Sequence, residues 1–148
     1  MKKEFNSHIE RLRASNLRPT RQRIEICQFL FNRRNTFHFT ILNLKQILEK
    51  KGFNKVSLAT LYNTVHVFKK KGYLKEISLN ESSTFFDTNI KNHHHFYDEE
   101  KEKLIDIKND VIVIKNLPRV PNRKKIKSTE VIIRLENNNQ KHKKKASK

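Results

Sequence analysis

Apolar residues recur at helical spacing through the first half of the chain and in alternation beyond it. Phe5, Ile9 and Leu12 predict a first helix, and Ile24, Cys27, Leu30 and Phe31, preceded by Thr20 as a capping hydroxyl, predict a second. Leu42, Leu44, Ile47 and Leu48 predict a third. Leu58, Leu61, Val65 and Phe68 lie at i, i+3, i+7 and i+10 and predict a fourth. The chain has only two glycines, Gly52 and Gly72, and each follows one of these last two stripes. A helix often ends on a residue with left-handed backbone, which glycine adopts without steric penalty, so both glycines read as helix stops.

After Gly72 the period shortens. Leu74, Glu76 and Ser78 alternate with Lys75, Ile77 and Leu79, and Asn80 to Ser82 can turn the chain into Thr84 to Asp87, which predicts a β-hairpin. Helices followed by a hairpin give the order of a winged helix-turn-helix, in which one helix enters the DNA major groove. Beyond a polar stretch, Leu104 to Ile107 predicts a short strand and Asp110 to Leu117 a short helix. Val131, Ile133 and Leu135 predict one face of a longer strand. The expected fold class is α+β, an N-terminal winged helix-turn-helix followed by a small α/β dimerisation domain. The expected boundaries are 1–88 for the winged helix, 89–92 for a hinge, 93–137 for a dimerisation and sensing domain, and 138–148 for a basic disordered tail. So short a second domain covers too little of its own surface, and a second copy would supply the missing partner.

Charge sharpens this picture. In 148 residues, 33 Lys and Arg oppose 15 Asp and Glu for a net charge of +18, and the isoelectric point of about 10.2 exceeds the value of roughly 9 that marks nucleic-acid-binding domains. Abundant Lys, Asn and Ile with few Gly also fit AT-rich coding DNA, which accounts for part of the lysine excess. No apolar run suffices to span a bilayer and no signal-peptide core opens the chain, so a cytoplasmic location is expected without membrane association. Cys27 is the only cysteine, which excludes an intramolecular disulfide and a cysteine-rich zinc knuckle. Its place in a helical stripe predicts a core residue.

The polar face of the fourth helix presents Ser57, Thr60, Tyr62, Asn63 and His66. Asn can pair with adenine, Ser and Thr with bases or phosphates, and Tyr can pack on thymine methyls. A merely solvated face explains the same residues. Arg18, Arg21 and Arg23 cluster near Pro19, where they can hold phosphates or enter a narrow minor groove, or form an ordinary exposed basic turn.

Two segments, Leu17-Arg18-Pro19-Thr20-Arg21-Gln22-Arg23 and Val56-Ser57-Leu58-Ala59-Thr60-Leu61-Tyr62-Asn63-Thr64, together resemble the ferric uptake regulator family of metal-sensing repressors. The likeness continues through Phe86-Asp87-Thr88-Asn89 and His93-His94-His95, and the histidine triplet resembles the iron response regulator branch. It implies a homodimer on double-stranded DNA with an AT-rich inverted repeat, responding to iron. It also implies base contacts by Tyr62 and its neighbours, and minor-groove entry by Arg18. Asn63 stands where some relatives carry Arg, so the base preference is expected to differ.

In an extended segment His93 and His95 project to one side, as a shared metal ion requires; a solvated loop or flexible hinge is the alternative. The resemblance adds His38, Asp87 and Asp106 as further ligands. This borderline-hard nitrogen and oxygen set suits Fe or Mn, with Zn as an alternative. Ligands from both domains would fix their relative angle. The same likeness suggests haem, with His93, His94 or His95 as axial ligand. His8, His66 and His142 are expected on the surface, and the family's cysteine-bound zinc has no ligands here.

Two other classes fit the sequence less well. A metal-dependent hydrolase fits poorly, because no second carboxylate is poised as a general base, so no enzyme is expected. An RNA-binding or ribosome-associated basic protein suits the charge but lacks an aromatic single-strand platform.

Overall fold

The computed structural model describes residues 2–53, 55–80 and 83–138, in two compact units, Met1–Ile90 and Lys91–Lys148. The first contains α1 (Lys2–Ala14), α2 (Arg21–Phe31), β1 (His38–Phe39), α3 (Ile41–Lys50), α4 (Leu58–Lys70), β2 (Lys75–Asn80) and β3 (Ser83–Asp87). Side-chain oxygens start three helices. Thr20 accepts from the Arg23 amide, Thr40 from that of Asn43 and Ser57 from that of Thr60, each satisfying an amide that has no partner within its helix.

Gly52 (φ +86°) and Gly72 (φ +79°) end α3 and α4 in left-handed backbone. The amides of Gly52 and Phe53 bond back to Glu49 and Leu48, and those of Gly72 and Tyr73 to Lys69 and Phe68. This is the paired-bond stop that consumes the last helical carbonyls.

Leu12, Ile26, Cys27, Leu44, Leu48, Leu61, Val65 and Phe68 are fully buried in a single core. Three stripe residues depart from expectation: Phe5 is 43% exposed, Leu42 59% and Leu58 39%. Each lies in the first turn of its helix. His8, expected on the surface, is buried at 2% exposure on the inner face of α1 with Leu12 one turn on.

The sheet of this unit has the order β1-β3-β2, antiparallel throughout. Lys69 of α4 pairs with Glu76 of β2 at 3.0 Å, which ties the hairpin to the helix. Of the expected turn, Glu81 and Ser82 lie outside the described residues.

The second unit is built on β4 (His93–Asp98), flanked by antiparallel β5 (Lys103–Lys108) and parallel β6 (Ile132–Leu135). The helix expected over Asp110 to Leu117 is absent: turn and irregular backbone replace it. The Val-Ile-Val-Ile run is β-branched and a poor helix former, and Asn116 takes a left-handed φ of 58°. The final strand is also shorter than expected, with Ile133 38% exposed. The lysine tail from Lys141 to Lys148, with His142, lies outside the described residues. Among the described residues no helix is long and apolar enough to cross a membrane.

Candidate metal centre and nucleic-acid interface

Strand alternation puts His93 and His95 on one face of β4 and His94 on the other. The Nδ1 of His93 lies 2.7 Å from the Lys91 carbonyl, and the Nδ1 of His95 lies 2.9 Å from Glu130 Oε1. A carbonyl and a carboxylate only accept, so each Nδ1 carries a proton and donates it. The Nε2 atoms of the two rings then approach to 2.9 Å. Asp106, the cross-strand partner of His95 on β5, places Oδ1 3.3 Å from His93 Nε2 and 3.5 Å from His95 Nε2. Nitrogens held about 2.1 Å from one ion at right angles lie about 3 Å apart. Two imidazoles and a carboxylate at this spacing can share a proton or a divalent cation. Both rings are buried, so their orientation is set by packing as well as by the outer bonds.

The first unit holds a second pair. His38 of β1 lies directly across from Asp87 of β3, with Nε2 3.3 Å from Oδ2. Asp87 is fully buried, and its Oδ1 accepts from the Asn89 amide at 2.7 Å. Phe37 and Thr88 exchange bonds beyond the short strand, Phe37 N to Thr88 Oγ1 at 2.9 Å and Thr88 N to Phe37 O at 3.2 Å. They hold the His38 and Asp87 pairing in register.

The triplet does not fit a haem. His93, His94 and His95 are at most 5% exposed, and the Nδ1 of His94 accepts from the Val131 amide at 3.1 Å. An axial imidazole must stand clear over a porphyrin face, whereas these rings are packed within a sheet. The haem expectation is corrected on that ground, while nitrogen and oxygen donors fit a compact divalent ion.

On α4, Tyr62 is 43% exposed and Asn63 is also exposed, as base contact demands. Tyr62 stacks on exposed His66 at 5.9 Å, and His66 meets Phe86 edge-on at 5.6 Å. Ser57 caps the helix start, its Oγ accepting from the Thr60 amide at 3.1 Å and donating to Thr60 Oγ1 at 2.9 Å. Arg18 and Arg21 are exposed, and Arg21 pairs with Glu25 at 2.9 Å. Arg23 bonds the Arg18 carbonyl at 3.1 Å and Asn63 Oδ1 at 3.2 Å.

Sequence reasoning missed Glu130 behind His95 and Gln22, whose Oε1 accepts from the Ser57 amide at 3.2 Å. Neither has a local signal, since each acts across 35 residues. Cys27 is a core residue as expected, and burial pushes its thiol up to about 12.

The model of the ferric uptake regulator family matches residues 14–142. The chain belongs to the ferric uptake regulator family. Among family relatives, the peroxide-responsive repressor PerR of Staphylococcus epidermidis is 37% identical over 103 residues, covering 70% of this chain and 67% of that protein. PerR of Staphylococcus aureus is 36% identical over the same length, covering 70% and 68%. These relatives are repressors, not enzymes, and their peroxide response differs from the iron response regulator likeness expected from the triplet. The fold is shared with the ferric uptake regulator of Pseudomonas aeruginosa, solved with manganese, at TM-score 0.63 and 17% identity over 88% of this chain and 98% of that one. It is also shared with the Helicobacter pylori regulator Fur, described as having three functional metal-binding sites, at TM-score 0.62 and 17% identity over 90% and 91%.

Proposed function

We propose that this ferric uptake regulator family member is a metal-dependent, cytoplasmic transcriptional repressor that binds an AT-rich inverted repeat as a homodimer. In this reading residues 1–88 form the winged helix, 89–92 the hinge and 93–137 the dimerisation and sensing domain. One divalent ion, Fe or Mn, takes His38, Asp87, His93, His95 and Asp106 as ligands. Zinc is a weaker candidate for these hard oxygen donors. The observation that carries the reading is the spacing of His93, His95 and Asp106, with the proton of each ring nitrogen committed outward.

Ligands drawn from both units let ion binding favour one arrangement of the chain over another, and only such a difference in affinity between states makes a switch. Tyr62 and Asn63 read bases, while Arg18 and Arg21 hold phosphates or enter the minor groove. Iron supply and, from the names of the relatives, peroxide are the inputs to try first.

Selection from a random duplex pool by the full chain with Mn²⁺ tests the function. The expected product is an inverted repeat of AT-rich half-sites occupied by two chains. If folded RNA competes equally with the selected duplex at several salt concentrations, the alternative of a basic RNA-binding protein is favoured instead.

A further inference from the structure

Arg23 lies on the third residue of the α2 sequence Arg-Gln-Arg, at the start of a helix that packs beside α4. One terminal nitrogen donates to the Arg18 carbonyl at 3.1 Å and the other to Asn63 Oδ1 at 3.2 Å. Its Nε is removed from solvent, so the stem is packed down rather than extended. The adjacent Gln22 accepts from the Ser57 amide. Two consecutive residues of α2 therefore grip α4, one at its cap and one at its exposed face.

We propose that Arg23 is a specificity-determining positioning residue that fixes which edge Asn63 turns toward DNA. The inference rests on the reading of α4 as the base-reading helix. A guanidinium has five N–H donors and no acceptor, so only the amide oxygen of Asn63 can face it. The Nδ2 donors of Asn63 then point away from Arg23. An unrestrained asparagine can present oxygen or nitrogen by turning its amide over; this one is held in a single sense. Asn63 therefore meets a base with its donors first, which favours acceptor-bearing major-groove positions such as guanine N7 and O6, adenine N7 or thymine O4. Arg23 touches no base itself. Its other arm is anchored on the Arg18 carbonyl.

The role is separable from that of a phosphate contact. A phosphate contact adds affinity for every sequence and steepens the salt dependence, whereas an orienting contact changes only the preference among sequences. The probes are the duplex that the wild-type chain selects from a random pool and a scrambled duplex of equal length and composition. Arg23→Lys keeps the charge and cannot make the two-armed bridge; Asn63→Ala, the double variant and Tyr62→Ala complete the set, with circular dichroism confirming that each folds.

The expected result is that Arg23→Lys binds the selected duplex on the order of tenfold more weakly, with unchanged scrambled-duplex affinity and salt slope. In the Asn63→Ala background the same change has no further effect. Reselection with Arg23→Lys yields a broader base preference at one position of each half-site. Equal losses on both duplexes, or a loss that persists without Asn63, overturn the proposal while leaving α4 as the reader. If Tyr62→Ala and Asn63→Ala also leave discrimination intact, the base-reading assignment of α4 falls, and the role of Arg23 with it.

Discussion

The Nε2 atoms of His93 and His95 lie 2.9 Å apart while the opposite nitrogen of each ring donates to a fixed acceptor. Two ring nitrogens brought together in this way are what the proposed divalent ion would bind. Replacing either ring by Ala is expected to abolish Mn²⁺ binding in calorimetric titration. His94→Gln, which retains an acceptor for the Val131 amide and lies on the other face of β4, is expected to bind as wild type does. Equal loss in all three variants would show that the strand, not the paired donors, had been disrupted.

Glu130 reaches His95 Nδ1 at 2.9 Å from the loop before β6. A carboxylate behind a ligating imidazole fixes its tautomer and raises its basicity, and losing such a partner lowers metal affinity about 10–100-fold. Glu130→Gln keeps the size and removes the charge. Titration with Mn²⁺ is expected to show that loss with unchanged stoichiometry; wild-type affinity would remove Glu130 from the site.

Helices α2, α3 and α4 were legible because each joins an apolar stripe to a capping hydroxyl or a left-handed glycine, as Ser57 and Gly72 do for α4. The two-residue strand His38–Phe39 had no such signal, since so short a segment shows no alternation. The candidate ligands could be named from family likeness, but their geometry depends on pairings between distant segments, such as His38 with Asp87 and His95 with Asp106. Arg23 illustrates the limit. It reads as one of three similar basic residues, and its contact with Asn63, 40 residues away in sequence, is not something the local sequence announces. The helix wrongly expected after β5 came from counting apolar residues in a run whose β-branching favours extended backbone.

His8 is 2% exposed, and its pKa lies below the ordinary 6.5 because burial disfavours the charged ring and Arg11 adds to that; Asn32 and Glu4 pull the other way. In the unfolded chain the ring takes up a proton near 6.5, whereas in the folded chain it does so only at lower pH. Stability from this group is thus present above 6.5 and lost as pH falls from there toward the folded value. Thermal melts between pH 8 and 5 are expected to fall less steeply below 6.5 for His8→Leu than for wild type. Parallel curves would contradict the burial of a neutral ring.

Haem titrated into the full chain is expected to give the same weak absorption band for wild type and for a variant with His93, His94 and His95 all changed to Ala, because these rings are enclosed in the sheet. A strong, stoichiometric band that disappears in the variant would restore the triplet as a haem ligand.

In the proposed function an ion held by His38, Asp87, His93, His95 and Asp106 controls DNA binding. Its most direct test is the affinity of the full chain for its selected duplex, measured by fluorescence anisotropy at fixed ionic strength, with chelator and then with Mn²⁺. Coupling of this kind is typically 5–150-fold. A rise in affinity within that range is expected for wild type and none for an Asp87→Ala, His93→Ala double variant, with scrambled DNA unaffected in both. Equal affinity with and without Mn²⁺, or a rise that survives in the double variant, would contradict it.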